Sequence, residues 1–192
     1  MIGKKTLIIL GIGLIAFIFA TANALAFTPG SLLQVNNLKK CVNCDLTNAD
    51  LSGQDLSEAN LQGANLTGAN LSATNLSGAN LRNADLTGAK LTNANLSNAK
   101  LDNANLSGAS LIKASLSGAD LTDANLTKAK LSDARLTDAN LTNANLTAAR
   151  LNGASLRGAN LTNTRLTGAR MDNAWWFDGT MCKEGSVGEC RQ

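Results

Sequence analysis

Leucine recurs at every fifth position along most of this 192-residue chain. There are 26 such positions from Leu46 to Met171, and only the last holds methionine instead of leucine. We number each pentad from this apolar residue, i. Alanine fills 22 of the 26 positions i−2, and Ser or Thr fills 19 of the 26 positions i+1. Such a strict short period is the signature of a repeat architecture.

A period of five fits neither regular element. On an α-helix, five residues turn about 500°, so the leucines would spread over every face. In a continuous strand, an odd spacing places successive leucines on opposite faces. The leucines collect in one core if each pentad is a short extended piece followed by a bend, so that the chain coils and the coils stack. The pattern therefore predicts an all-β solenoid with Leu and Ala inside and polar residues outside.

The repeated unit, Ala-[Asn/Asp]-Leu-[Ser/Thr]-x, resembles the pentapeptide-repeat family, for example at Ala159-Asn160-Leu161-Thr162-Asn163. The resemblance implies a right-handed quadrilateral β-helix with four pentads per coil, which gives about 6.5 coils for the repeats. Residues 20 apart should then stack in columns, and the numerous asparagines at i−1 should form amide ladders.

Two exceptions to alanine at i−2, Gln54 and Thr74, fall in one predicted column. Both would be buried polar groups, which need hydrogen-bond partners. We expect them to bond to each other.

The N-terminus has the composition of a secretory leader. Two lysines precede an almost wholly apolar stretch, residues 7–20, and Ala24 and Ala26 supply the small residues of a cleavage site. Residues 1–26 are predicted to be a signal peptide cut between Ala26 and Phe27; an uncleaved membrane anchor is the alternative. In both cases, the two lysines should stay on the cytoplasmic side, so the repeats should lie on the far side of the membrane.

Three further segments follow the leader. Residues 27–44 are predicted to form an N-terminal cap with a short helix, because a Pro-Gly-Ser turn precedes spaced apolar residues. Residues 45–174 form the repeat domain, and residues 175–192 a C-terminal cap. An open β-helix end is an unpaired edge, and we expect Trp175, Trp176 and the following Phe177 to cover it; a partner-docking patch is the alternative.

The four cysteines lie in two pairs at opposite ends of the predicted rod. In an exported chain, an even number favours disulfides. Because the rod separates the pairs by roughly 30 Å, we expect a Cys182–Cys190 bridge and no four-cysteine zinc site. Cys41 and Cys44 either form a second bridge or face the interior of the first coil. A redox CxxC normally needs a βαβ setting that is not predicted here.

The composition argues against catalysis. The chain has no His and no Tyr, and it shows no Gly-rich phosphate cradle and no paired nucleophile and base. We therefore expect no enzyme activity, no cofactor and no metal.

Some members of the family that the chain resembles mimic DNA and protect gyrase. A DNA mimic needs about one negative charge per 1.7 Å of rod, whereas this chain has 14 acidic and 17 basic residues. Gyrase protection in the cytoplasm is therefore the disfavoured alternative, and we expect no binding of nucleic acid either.

One outward column, spaced by 20 residues, is mostly basic: it contains Lys90, Lys130, Arg150 and Arg170. A solvated surface is the preferred interpretation of this strip, and a surface for an acidic protein partner or for end-to-end association is the alternative. The sequence predicts an exported, non-catalytic scaffold or protein-interaction module, monomeric or an end-to-end dimer, free of the membrane after leader cleavage. A membrane-tethered envelope scaffold is a further alternative. The segment that leads into the repeats, residues 32–46, is similar to that of cyanobacterial members of the family. This similarity implies a cyanobacterial source, in which an exported protein lies in the periplasm or in the thylakoid lumen.

Overall fold

The computed structural model describes residues 39–191, which form a β-helix and a short tail. The predicted leader, the Ala26–Phe27 cleavage site and the predicted capping helix lie outside the described residues. Within the described range no residue is helical, and no helix is present that could cross a membrane.

Parallel bridges join residues 20 apart, from Lys40 with Asn60 to Ser155 with Trp175. Each bridge uses position i−1, and it is the only paired residue of its pentad. This register confirms four pentads per coil and the predicted columns. The bridges extend one pentad beyond the leucine repeat at each end, so the rod has seven coils and is about 34 Å long at the usual strand spacing.

Four of the five backbone N–H groups of an interior pentad bond to backbone carbonyls. The N–H groups of i−1, i and i+2 bond to neighbouring coils, and that of the next i−2 closes a turn onto i; around Leu101 these four N···O distances lie between 2.7 and 2.9 Å. Where i−1 is Asn or Asp, the remaining N–H, at i+1, bonds to that side chain, as Ser107 N does to Asn105 Oδ1 at 3.2 Å. The short period is therefore compatible with an almost fully hydrogen-bonded backbone.

The corners require a left-handed backbone. From Asn43 to Asn173, every residue at i+2 has a φ between 54° and 69°, as type II turns require at their third residue. Gly, Asn and Asp tolerate this region best, and they fill most corners. Lys113 and Lys128, with φ of 58° and 59°, are among the exceptions.

The core contains the residues that the period predicts. Every leucine from Leu46 to Leu156 is at most 1% exposed. The expected bond between Gln54 and Thr74 is wrong: the Thr74 hydroxyl donates to the Leu51 carbonyl of the coil before, at 2.8 Å. A threonine can therefore replace the inward alanine because a backbone oxygen of the previous coil lies within reach.

The two ends of the rod differ from its middle. At the start, Cys41 occupies the leucine position and Cys44 the alanine position, and the two form a disulfide. At the other end, Trp176 takes the leucine position and is partly buried. The Cys41 pairing, which the sequence left open, is a bridge inside the first coil.

The tail folds back under the last coil. It pairs antiparallel with two of the four sides, through the bridges Arg170 with Val187 and Trp175 with Met181. The second disulfide, Cys182–Cys190, closes this hairpin, and Cys182 is fully buried. The aromatic residues therefore do not cover the end by themselves, because the hairpin covers two of its four sides.

Candidate functional site

The predicted basic column is present, with one interruption at Ser110. Lys90, Lys130, Arg150 and Arg170 are exposed, and successive bridges join them through Ser110. We call these four cations the basic strip. They project from one side of the rod because i−1 points outward in every pentad while i points inward.

The last three members of the basic strip are adjacent like charges. Lys130, Arg150 and Arg170 lie on consecutive coils, about 4.8 Å apart along the rod. Of these three cations, only Arg170 forms an ion pair within residues 39–191, at 3.6 Å from Asp172. Like charges directly opposite one another destabilise a sheet. This column therefore lowers stability unless an anion lies against it.

The opposite end of the rod is acidic. A hydrogen bond from the hydroxyl two residues later lowers the pKa of Asp45, Asp50 and Asp55, and a backbone N–H of the same residue adds to the effect. For Asp50, the charge of Lys90 contributes further. These carboxylates are held ionised by their own turns, and the rod is electrically polarised along its length.

The structure separates the tryptophans from the basic strip. Trp175 lies in the adjacent outward column, where the Arg157 guanidinium covers its ring at 3.7 Å. Trp176 points into the rod, and only its neighbour Phe177, 48% exposed, offers a free aromatic surface. The predicted interaction residues therefore form one cationic surface and one aromatic cluster at the C-terminal end.

A second candidate surface, which the sequence did not reveal, lies where the tail hairpin leaves two sides of the last coil uncovered. We call residues 159–168 the open edge. Leu161 and Leu166 are the partly exposed members of an otherwise buried leucine series. Together with Phe177, the start of the edge lines a shallow cavity of about 280 Å³.

The backbone of the open edge has unused hydrogen-bonding groups. In every earlier coil the N–H groups at i and i+2 bond to the next coil. In the described part of the chain, those of Leu161, Asn163 and Leu166 have no acceptor, and the carbonyls of Ala159 and Thr164 have no donor. The sequence gives only a weak signal for this surface. The tail after the last pentad lacks the repeat, which indicates that no complete coil follows.

The neutral sides of the rod are internally bonded. Asn125 Nδ2 donates to Asn105 Oδ1 of the previous coil at 3.1 Å, and Asn95 donates in the same way to Asn75. The predicted amide ladders are confirmed. Because these amides bond to one another and to their own turns, they are poorly placed to bind a ligand.

The described residues contain no group of three or more His, Cys, Asp or Glu side chains placed to hold a metal ion. All four cysteines are in disulfides. The candidate surfaces therefore offer charge, apolar contact and backbone hydrogen bonds, which are the means of binding a macromolecule.

Comparison with known proteins gives a consistent result. A family model described as pentapeptide repeats matches residues 40–72, 69–108, 99–138 and 139–174. Among solved structures, HetL from the cyanobacterium Nostoc sp. strain PCC 7120, a pentapeptide repeat protein involved in heterocyst differentiation regulation, is 37% identical over 74% of each chain, with a TM-score of 0.62. A trypsin-treated form of QnrB1, a plasmid-mediated fluoroquinolone resistance protein, is 23% identical over 74% of each chain, with a TM-score of 0.54, and shows the fold alone.

A pentapeptide repeat protein of the Arabidopsis thaliana thylakoid lumen is 31% identical, over 62% of this chain and 65% of that one, with a TM-score of 0.24. No match was found among curated proteins.

Proposed function

Because the chain belongs to the pentapeptide-repeat family, we propose that it is an exported, non-catalytic scaffold that binds an acidic protein partner along the basic strip. The observation that carries the proposal is the column of Lys130, Arg150 and Arg170. Of these three stacked cations, only Arg170 has an ion-pair partner among the described residues. An anionic partner would relieve their mutual repulsion and give the rod a directional binding side.

The filled interior supports a non-catalytic role. Catalysis needs convergent groups in a concave site from which water can be excluded. Here the leucines fill the rod, and the shallow cavity at Phe177 is lined by Ala159, Asn160, Leu161 and Thr162, a set without an acid, a base or an activated nucleophile.

The two disulfides support export. Disulfides persist in oxidising compartments and are rare in the cytosol. Cys41–Cys44 and Cys182–Cys190 each lie at one end of the rod, where the coils have a neighbour on one side only. The leader-like composition of residues 1–26 points the same way, and the periplasm and the thylakoid lumen both fit.

Fractionation tests the location. Protein from cytosolic, membrane and exported fractions is alkylated before and after reduction, and its intact mass is measured. We expect an exported species that begins at Phe27 and takes up label only after reduction. A full-length, reduced cytosolic species would refute export, and a full-length membrane species would instead establish a tethered scaffold.

Matched charge variants test the binding side. In one variant, Arg150 and Arg170 are replaced by glutamine; in the control, two exposed arginines away from the strip, Arg135 and Arg191, are replaced in the same way, so that both variants lose the same charge and keep the reactive amines of Lys90 and Lys130. Cross-linking in the native compartment, followed by mass spectrometry, should show cross-links from the strip face to carboxylates of a partner. We expect these cross-links to disappear in the first variant and to persist in the second. Equal loss in both would mean that total charge, and no defined surface, governs association.

A further inference from the structure

We propose that the open edge binds an acidic segment of a partner protein, which bends with the edge and adds to the last coil as a further half coil. This proposal rests on the interaction role proposed above, but it concerns the end of the rod and not its side. Strand addition at a free sheet edge is a general mode of peptide recognition, in which backbone bonds give affinity and side-chain contacts give specificity.

The hydrogen-bonding pattern of the edge fits this mode. The N–H groups of Leu161, Asn163 and Leu166 and the carbonyls of Ala159 and Thr164 are the groups that pair with the next coil everywhere else in the rod. Side-chain hydrogen bonds to the previous coil hold this part of the backbone in place. The Thr164 hydroxyl donates to the Leu141 carbonyl at 2.8 Å, and Asn163 Nδ2 donates to Asn143 Oδ1 at 3.2 Å. A preorganised edge binds a strand at a lower cost in conformational entropy.

The side chains of the edge define the composition of the partner. Leu161 and Leu166 are partly exposed, and Phe177 stands beside them, so apolar residues of the segment would be buried here. Arg165 lies between the two leucines at the outward position, and among the described residues it forms no ion pair. The residue stacked against Arg165 should therefore carry a carboxylate.

Two other occupants fit the surface less well. A second copy docked through the same end would set the tail hairpins of the two rods against each other, since each hairpin covers the sides of Arg170 and Trp175. A second copy stacked head to tail would place its acidic first coil near Arg165, but that whole coil needs the layer in which the tail hairpin already covers the sides of Arg170 and Trp175. The hairpin leaves room for about half a coil, which a short segment fills.

The chain's own undescribed N-terminal residues join the rod at Lys39, at the opposite end. To occupy the open edge they would have to run the full length of the rod, about 34 Å. A segment of another protein needs no such path.

The test uses a synthetic peptide that copies half a coil, acetyl-ADLTGADLTG-amide, and protein purified as cells process it. In the stacked register the second Asp of the peptide faces Arg165. We expect hydrogen exchange at the amides of Leu161, Asn163 and Leu166, measured by NMR, to slow at least about tenfold in saturating peptide. A peptide with Lys in place of Asp should bind about tenfold more weakly or worse.

Two protein variants give the matched control. Arg165→Glu should weaken binding of the acidic peptide by about tenfold or more, whereas Arg135→Glu, the same charge change at an exposed position of another column, should change it less than about twofold. Both side chains are outside the core, so both variants should keep the fold, which their thermal unfolding would verify.

Several results would overturn the proposal. Slow exchange at these amides in the free protein would mean that another part of the chain covers the edge. Protection that depends on protein concentration instead of peptide would mean self-association, and equal binding of the Asp and Lys peptides would remove the basis for an acidic partner. None of these results bears on export or on the basic strip, and a cytosolic location would leave peptide binding unaffected, so the two proposals fail separately.

Discussion

The replacement of one interior leucine by alanine should cost far more in the middle of the rod than at its open edge. Leu106 is 0% exposed and has coils on both sides, so Leu106→Ala removes three buried carbons and leaves a cavity. Transfer of those carbons accounts for about 2.4 kcal/mol, and the cavity raises the total to about 3 to 5 kcal/mol. Leu166 is a partly exposed residue of the open edge, where water can fill the space. We expect Leu166→Ala to cost about 1 to 2 kcal/mol.

Urea unfolding followed by circular dichroism measures both costs. The midpoint should fall in both variants with the slope unchanged, because the surface exposed on unfolding hardly differs. A rod of stacked coils can lose two-state behaviour, and a changed slope would reveal it. The reasoning would be refuted if both variants lost the same stability, or if Leu106→Ala cost less than about 1 kcal/mol. Either result would mean that the middle of the rod is not packed more tightly than its open edge.

Three further outcomes are expected. Lys128→Gly should raise the unfolding temperature, because glycine adopts the φ of 59° without strain, a gain of up to about 1 kcal/mol, whereas Lys100→Gly, at an outward position of another column where φ is not positive, should lower it. Because the pKa of Asp50 lies below its ordinary value of 3.8 in the fold, this carboxylate contributes stability above that pH and loses it as the pH falls through the folded pKa; Asp50→Asn should flatten the dependence of the urea midpoint on pH below about 4. Cys182→Ser with Cys190→Ser should cost about 2.5 kcal/mol by loop entropy and speed hydrogen exchange in the tail hairpin, whereas unchanged exchange there would show that bridging of the two cysteines does not hold it.

The repetitive part of the fold follows closely from the sequence. The five-residue leucine period requires a bend in each pentad, and once four pentads make a coil, the position of every column is determined. The basic strip was predicted for this reason: Lys130, Arg150 and Arg170 are 20 residues apart, and the bridges join them in that order.

The ends were less predictable because their structure depends on contacts that do not repeat. Cys41 and Trp176 lie in register with the leucine period, but the period does not show where the coiling stops. The tail has no period, and its antiparallel pairing with the sides of Arg170 and Trp175 is decided by which edges remain free after the rod has formed. The open edge is a consequence of that choice, so it could not be read from the pentads.

Because the bridges join residues 20 apart, the rod can be lengthened or shortened without altering which residues share a side only by whole coils. An insertion of 20 residues at a corner would leave all columns facing as they do now. An insertion of five would rotate everything beyond it by one side, so that Lys130 would no longer align with Lys90. Duplication by four pentads therefore offers a route to longer descendants that reach farther and still present the same surfaces.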